Sequence, residues 1–346
     1  MSAVSLFESL TSPQWGALGR WHRDLLQATP YRVIHRHHNL QLRQYDSWSK
    51  DPRGRVIILP SLINRPYVLD LGRGRSLLRA LLGWGYEVQL IDWGTPGQYD
   101  FDLGLESFLE DRLLPAWQAA DAGSRFVQRH PDAAPHLIGH CLGGVLALLA
   151  AARRAPHARL TLLTTPIDPF ATQGQPDTLL QAWAKHPSFD FRKLGRQLDT
   201  LPWPILQASF QLLRPASQLQ RWRQILKSWP DPAQREAWLQ MEIWSNDGVS
   251  VPGELMADLI EKVYRERSLA GTNAHGSWQR IRELHGEVHA LIGLDDHIVP
   301  EPCASAIEAL LPKTQIRLHR ARGGHLGALL SRRSRETIWP EIWATN

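Results

Sequence analysis

The stretch PHLIGHCLGGVLALLA, from Pro135 to Ala150, constrains the fold more than any other part of this chain. It predicts a short apolar strand, a tight turn of small residues and an apolar helix. The turn carries the pattern G-x-C-x-G, which is typical of a nucleophile elbow, with Cys141 where serine usually stands. Glycines are needed because a strand that reverses sharply into a helix leaves no room for β-carbons beside the nucleophile. The alternative is a buried structural cysteine in a Gly-rich turn.

Cys141 would stand at the N-terminus of the predicted helix, where the positive end of the helix dipole favours a thiolate. The backbone N–H of Leu142 would then point to the position of an oxyanion. A second N–H donor is expected from Leu62 or Ile63, after the strand predicted over residues 55–63. These positions predict a site for nucleophilic attack on a carbonyl group.

Apolar strands and helices alternate on both sides of the elbow. A hairpin is predicted over residues 32–48, an amphipathic helix within residues 1–30 and one long helix over residues 102–129. The alternation predicts an α/β fold with a mostly parallel, doubly wound sheet and helices on both faces. Further strands are predicted over residues 55–63, 87–93, 159–167, 286–294 and 314–321, with helices over 76–82 and 300–311 and a terminal helix from 327.

Residues 170–285 interrupt this alternation with a helical pattern that is rich in Trp, Gln and Arg and broken by prolines. We predict that this segment is a helical cap, inserted into a core formed by residues 1–169 and 286–346. The cap tryptophans could shield a dry site or could serve ordinary packing; they are Trp183, Trp203, Trp222 and Trp244.

The composition limits the possible environments and ligands. Two cysteines, Cys141 and Cys303, are too few for a disulfide framework and indicate a reducing compartment. We find no secretory leader pattern and no run near the ~18 apolar residues of a membrane span, so a cytoplasmic protein is expected. The net charge is +5, but the basic residues are scattered along the chain, so no nucleic-acid partner is expected. Neither a cofactor nor a metal site is expected, because His35, His37 and His38 lack a carboxylate or cysteine at ligand spacing.

A cysteine nucleophile needs a base, and the base needs an orienting carboxylate. In the α/β-hydrolase order, the acid follows a late strand and the histidine follows the last strand. Asp295 and Asp296 follow one such strand, and His325 follows the last one within GGHLG. We therefore predict an α/β-hydrolase fold with an inserted cap and a catalytic triad of Cys141, Asp296 and His325, with Asp295 as the alternative acid.

Several blocks of the chain resemble the polyhydroxyalkanoate synthases, especially their short, two-component class III type. The blocks span nearly the whole chain in the family's order, and the motifs Asn-Arg-Pro-Tyr and Asp-Trp-Gly-x-Pro are more particular than the elbow. Glu301 departs from the pattern, because many members carry a bulky residue there. Besides the elbow, the blocks are Thr29-Pro30 with the hairpin ending near Tyr45, LPSLINRPYVLDL at 59–71, YEVQLIDWGTP at 86–96, LLTTPID at 162–168, LLRP at 212–215, MEIWSNDGVSVPG at 241–253, DHIVP at 296–300 and GHLG at 324–327.

The resemblance implies acyl transfer from a 3-hydroxyacyl-CoA to a growing polyester through a covalent acyl-Cys141 intermediate, with release of CoA. His325 would prepare the thiolate, and Asp296 would activate the 3-hydroxyl group with or through His325. The residues expected to bind substrate are Asn64, Trp93 and His297. The expected partners are a second synthase subunit or a second copy of the chain, together with the surface of a polyester granule.

Two other interpretations remain open. A Cys-dependent hydrolase, such as a thioesterase, a polyester depolymerase or a dienelactone-hydrolase-like enzyme, would share the triad and differ in the acceptor of the acyl group. A non-catalytic scaffold at the granule surface could keep the fold, but it need not retain all three catalytic side chains.

Overall fold

An eight-stranded sheet forms the centre of the part of the chain that the structure describes. The structure is a computed structural model, and it describes residues 29–72, 74–171, 186, 190–212, 231–271 and 276–344. Almost all of the helix predicted within residues 1–30 lies outside these ranges, as do Trp183 and Trp222. The strands are β1 (Arg32–His37), β2 (Leu40–Tyr45), β3 (Gly54–Leu59), β4 (Tyr86–Asp92), β5 (His136–His140), β6 (Arg159–Leu163), β7 (Thr200–Leu201), β8 (Val251–Pro252), β9 (Val288–Gly293) and β10 (Ile316–Ala321).

The strand order across the main sheet is β1-β2-β4-β3-β5-β6-β9-β10. The hairpin β1-β2 and the β2-β4 pair are antiparallel, whereas every pair from β4 to β10 is parallel. The carboxyl ends of the parallel strands therefore meet at one edge, which is the edge where ligands bind in open α/β sheets. β7 and β8 form a separate antiparallel ladder.

Helices cover both faces of the sheet, as the sequence predicts. Alternate side chains of β5 lie on opposite faces of the sheet: Leu137 belongs to one hydrophobic cluster and Ile138 to the other. The α-helices among the described residues are α1 (Leu77–Gly83), α2 (Leu105–Phe108), α3 (Leu114–Gly123), α4 (Arg125–Arg129), α5 (Leu142–Arg154), α6 (Phe191–Leu198), α7 (Trp203–Leu212), α8 (Pro232–Ser245), α9 (Gly253–Leu259), α10 (Ser277–Arg280), α11 (Glu301–Ser305), α12 (Ile307–Leu310), α13 (Gly327–Leu330) and α14 (Trp339–Trp343).

The prediction of a single helix over residues 102–129 is wrong. A π-helical turn at Leu109–Leu113 joins α2 to α3, and the chain then breaks at Ser124. Ser124 has an extended backbone (φ −90°, ψ 121°), and its side chain accepts a hydrogen bond from the N–H of Val127. A serine that caps a new helix in this way competes with continuation of the preceding one. The helix predicted over residues 300–311 is likewise divided, into α11 and α12.

The segment between β6 and β9 adds no strand to the main sheet within the described residues. Its described part contains α6 to α10 and the short β7-β8 ladder, which the sequence pattern does not predict. The cap boundaries at 169/170 and 285/286 remain predictions. Among the described residues, no helix has both the length and the apolar character needed to cross a membrane.

Two histidines lie side by side on the neighbouring strands β9 and β10. His289 on β9 is fully buried, and its Nδ1 is 2.9 Å from Nε2 of His319 on β10. Burial, followed by the charge of Arg159, lowers the pKa of His289 to about 4, and burial also lowers the pKa of His319. His289 is therefore neutral in the folded protein near pH 7.

We expect the melting temperature to fall by several degrees as the pH drops from 6.5 towards 4. In the unfolded chain His289 titrates near 6.5, whereas in the folded chain its pKa is about 4. The unfolded state therefore binds more protons in this window. The contribution of His289 to the free energy of unfolding is fully present above about pH 6.5 and is lost as the pH falls towards 4. His289→Gln should flatten the plot of melting temperature against pH, whereas substitution of the exposed His285 by Gln should not. An unchanged slope in His289→Gln would contradict the prediction.

Candidate active site

Cys141 lies at a sharp turn between β5 and α5. Its backbone has φ 54° and ψ −124°, a conformation that L-residues rarely adopt and that is concentrated at functional sites. Its N–H donates to the carbonyl of Leu163 at 2.9 Å, and its own carbonyl accepts from the N–H of Gly144 at 2.9 Å. These bonds hold the strained residue in place, so the elbow predicted from the sequence is confirmed as a local structure.

Two glycines allow the elbow to pack against its neighbours. A β-carbon on Gly143 would lie 2.1 Å from the carbonyl oxygen of Leu59 and 2.4 Å from that of Pro60. A β-carbon on Gly144 would lie 1.9 Å from Oγ1 of Thr165. The N-terminus of α5 therefore sits directly against the ends of β3 and β6, which only glycine permits.

His325 links the elbow to a carboxylate. Its Nδ1 is 2.7 Å from Oδ2 of Asp296, and the Cys141 side chain lies close enough to raise the pKa of its ring. Asp296 has no exposed side-chain surface, and His325 exposes only 11% of its side chain. The three side chains predicted as a triad thus come together in space, in the order nucleophile, base and orienting acid.

The choice between the two neighbouring aspartates follows from where their side chains point. Oδ1 of Asp296 accepts hydrogen bonds from the N–H groups of Ile298 (2.9 Å) and Val299 (3.0 Å), which leaves Oδ2 for His325. Oδ2 of Asp295 instead accepts from the N–H of Gly323 at 2.9 Å. Asp296 is therefore the histidine's partner, and Asp295 supports the loop that carries it.

The charges at this site favour a protonated histidine. Burial lowers the pKa of His325, but Cys141 and Asp296 outweigh burial and raise it to about 10. An imidazolium next to the cysteine side chain is the arrangement that activates a thiol as a nucleophile.

The candidate oxyanion donors surround the elbow. Leu142 is the first residue of α5, and Leu62 and Ile63 lie in the buried loop after β3. No described residue accepts a hydrogen bond from the N–H groups of these three residues. Their role in oxyanion binding remains a prediction.

Two distant sequence blocks meet beside this loop. Asn64 forms a β-bridge with Gly248, and the N–H of Val249 donates to the carbonyl of Ile63 at 3.1 Å. The Tyr67 hydroxyl group donates to Oδ2 of Asp247 at 2.9 Å. The block at 59–71 is therefore held in place by the block at 241–253, which explains structurally why the chain carries both.

The predicted substrate-binding residues occupy different positions around the site. Asn64 is half-buried in the β3 loop, and His297 is half-buried directly after Asp296. Trp93 donates from its ring nitrogen to the carbonyl of Pro60 at 3.0 Å, and its ring packs 5.3 Å from that of Phe108. Trp93 therefore supports the β3 loop; substrate binding by these three residues remains a prediction.

The described cap tryptophans make specific packing contacts. Trp203 packs so closely on Gly248 that a β-carbon there would lie 1.9 Å from its ring. Trp244 is buried and donates to the carbonyl of Arg65 at 2.9 Å. Trp244 therefore joins the cap segment to the loop after β3, whereas Trp203 packs within the cap segment; both contacts fit the packing alternative.

Two side chains near the nucleophile were not predicted from the sequence. His140 ends β5, and its ring centroid is 5.6 Å from that of His325. Tyr264 lies in the π-helical turn after α9, close enough to Cys141 and Cys303 for their charges to act on its hydroxyl group. His140 could have been noticed, because it is a polar residue directly before the nucleophile at the end of a buried strand. No sequence signal places Tyr264. Across the described ranges, no group of three potential ligand side chains could hold a metal ion.

Comparison with protein families agrees with this geometry. The model of the α/β hydrolase fold family matches residues 54–330, which is more than half of the chain. Two solved structures share the fold: the monoacylglycerol lipase of Paleococcus ferrophilus (TM-score 0.52, 17% identity, covering 88% of this chain and 96% of that one) and the esterase of Exiguobacterium antarcticum (TM-score 0.51, 13% identity, covering 91% and 99%).

Similarity to curated proteins confirms the resemblance drawn from the motifs. The poly(3-hydroxyalkanoate) polymerase subunit PhaC of Allochromatium vinosum is 28% identical over 94% of this chain and 92% of its own length. The subunit of the same name from Thiocystis violacea is 27% identical over 94% and 92%. That of Haloferax mediterranei is 26% identical over 91% of this chain, which spans only 63% of it. Together with the elbow and the sheet topology, the family match means that this chain belongs to the α/β hydrolase fold family.

Proposed function

We propose that the chain is the catalytic subunit of a polyhydroxyalkanoate synthase. It would transfer the acyl group of an (R)-3-hydroxyacyl-CoA to a growing polyester through an acyl-Cys141 intermediate and release CoA. The observation that carries the proposal is the grouping of Cys141, His325 and Asp296, in which His325 hydrogen-bonds Asp296 and Cys141 contributes to its raised pKa. It occurs in a chain that is similar along 94% of its length to a protein named poly(3-hydroxyalkanoate) polymerase.

In the first half-reaction, the Cys141 thiolate attacks the thioester carbonyl carbon and forms a new C–S bond. The N–H group of Leu142, with that of Leu62 or Ile63, would stabilise the oxyanion. The bond to the CoA sulfur then breaks, and CoA takes the proton of the His325 imidazolium and leaves as a thiol. One thioester replaces another, so this step needs little driving force.

In the second half-reaction, a 3-hydroxyl group attacks the acyl-Cys141 carbonyl. Neutral His325 takes the hydroxyl proton, and Cys141 leaves as the thiolate, which restores the initial ion pair. Asp296 would act through His325, because one of its oxygens is occupied by two backbone N–H groups and the other by the histidine. The resulting ester bond lengthens the polymer by one unit.

The proposed reaction uses only these side chains and the thioester, without a cofactor. Water must be kept from the acyl-enzyme, since hydrolysis would give the free acid. Cys141 is only 7% exposed. The loop after β3 is held in place by Trp244, which hydrogen-bonds the carbonyl of Arg65. These two observations support a site that is shielded from water. We further propose a second synthase subunit or a second copy of the chain as partner, and the surface of a cytoplasmic polyester granule as the location.

The test measures CoA release from 3-hydroxybutyryl-CoA by the purified chain, alone and after co-expression with a candidate second subunit. The product is analysed for polymer and for free 3-hydroxybutyrate. We expect polymer. If free acid is the only product, the proposed synthase activity is wrong and the chain is a thioesterase or another hydrolase. The absence of CoA release in both preparations, together with a Cys141 that does not react with iodoacetamide, would favour the scaffold.

A further inference from the structure

His140 stands directly before the nucleophile and is an unusual residue for its position. It is the last residue of β5, it is 2% exposed, and neither of its ring nitrogens hydrogen-bonds any described residue. A buried polar group without a partner costs free energy that an apolar side chain would not, so each such group in a folded protein requires an explanation. The second histidine of the same strand, His136, is also buried, but its Nε2 is 2.9 Å from Oγ1 of Thr161.

The surroundings of His140 connect it to the triad. Its ring centroid is 5.6 Å from that of His325, with the two planes tilted by 44°. Among the described residues, Cys141 and Asp296 are the side chains that raise the pKa of His325, and His325 is the side chain whose charge acts on His140. Burial, and then the charge of His325, lower the pKa of His140 to about 3. Only one of the two rings therefore carries a proton charge, and that ring is His325.

We propose that His140 is a positioning residue for the proposed acyl transfer: its neutral, polar ring packs against His325 and stabilises the imidazolium that pairs with the Cys141 thiolate. A ring dipole next to a buried cation interacts strongly because little water screens the site. The cost of the unpartnered nitrogens is then offset by a favourable interaction with the charged form of His325. The inference rests on the proposed function, since it assigns a role within the same site.

The test follows the pH dependence of Cys141 alkylation by iodoacetamide, measured by mass spectrometry of the peptide that contains Cys141. His140→Phe keeps a ring of similar size and removes both nitrogens. Loss of the interaction lowers the pKa of His325, so we expect the midpoint of the alkaline limb, where His325 loses its proton, to fall by about half a pH unit, which is about a threefold weaker binding of that proton. His136→Phe is the matched control, because it makes the same change on the same face of the same strand, away from the elbow. Its midpoint should equal that of the native chain.

A midpoint in His140→Phe equal to the native value would overturn the proposal and leave His140 with a packing role. His140→Leu is measured in the same way, so the result does not depend on one variant folding. His140→Gln restores a polar side chain, and its midpoint should lie closer to the native value than that of His140→Phe; if it does not, the polar role is wrong. Alkylation requires no polymer substrate, so a failure here is distinguishable from a failure to form polymer.

Discussion

Cys141→Ala is expected to lower CoA release from 3-hydroxybutyryl-CoA by on the order of 10⁴-fold or more. The sulfur is the atom that bonds to the acyl group, and no other described side chain at the elbow can replace it. Its position depends on the φ of 54° at this residue, which the neighbouring backbone hydrogen bonds maintain. The variant should fold normally, because alanine removes only the sulfur of a side chain that is already in a small buried space. Steady-state CoA release, with circular dichroism to check folding, measures the effect.

Cys303 provides the matched control. It is the other cysteine of the chain, it lies buried in α11, and burial raises its pKa to about 12. Cys303→Ala should therefore retain activity within about twofold of the native chain, because a buried thiol with a raised pKa is inert. Equal activity of Cys141→Ala and the native chain would exclude the covalent mechanism.

Asp296→Asn is expected to have the second-largest effect, a loss in kcat on the order of 10⁴-fold, as when a triad aspartate becomes an amide in a serine protease. The carboxylate accepts the Nδ1 proton of His325 at 2.7 Å and contributes to its raised pKa. An amide in its place can donate to Nδ1 and so favour the wrong tautomer. The pKa of His325 should fall as well, which would shift the pH profile of CoA release towards lower pH.

Asp295→Asn tests whether this effect belongs to one aspartate. The Asp295 carboxylate accepts from the N–H of Gly323, and an asparagine oxygen can accept the same bond. Its kcat should therefore stay within about threefold of the native value. A loss in Asp295→Asn as large as that in Asp296→Asn would mean that the triad acid has been assigned to the wrong residue.

Much of the fold follows from patterns along the chain. Buried parallel strands read as continuous apolar runs, which is why β3, β4, β5 and β9 can be located within a few residues. Helix continuity is harder to predict, because Ser124 suits both a helix surface and a helix cap. The β7-β8 ladder has two residues per strand and depends on contacts between parts of the chain about fifty residues apart. Such short ladders leave no periodic signal.

The sequence by itself determined the elbow, the sheet class and the set of triad candidates. Local glycine requirements and strand order carry this information, because the carboxyl ends of parallel strands meet at one edge whatever the details of packing. Only the tertiary structure decided that Asp296 rather than Asp295 faces His325, since adjacent side chains point in different directions that depend on the surrounding backbone N–H groups. It also decided that His140 lies against His325, because contacts between residues 185 positions apart depend on how β5 and the loop after β10 pack together.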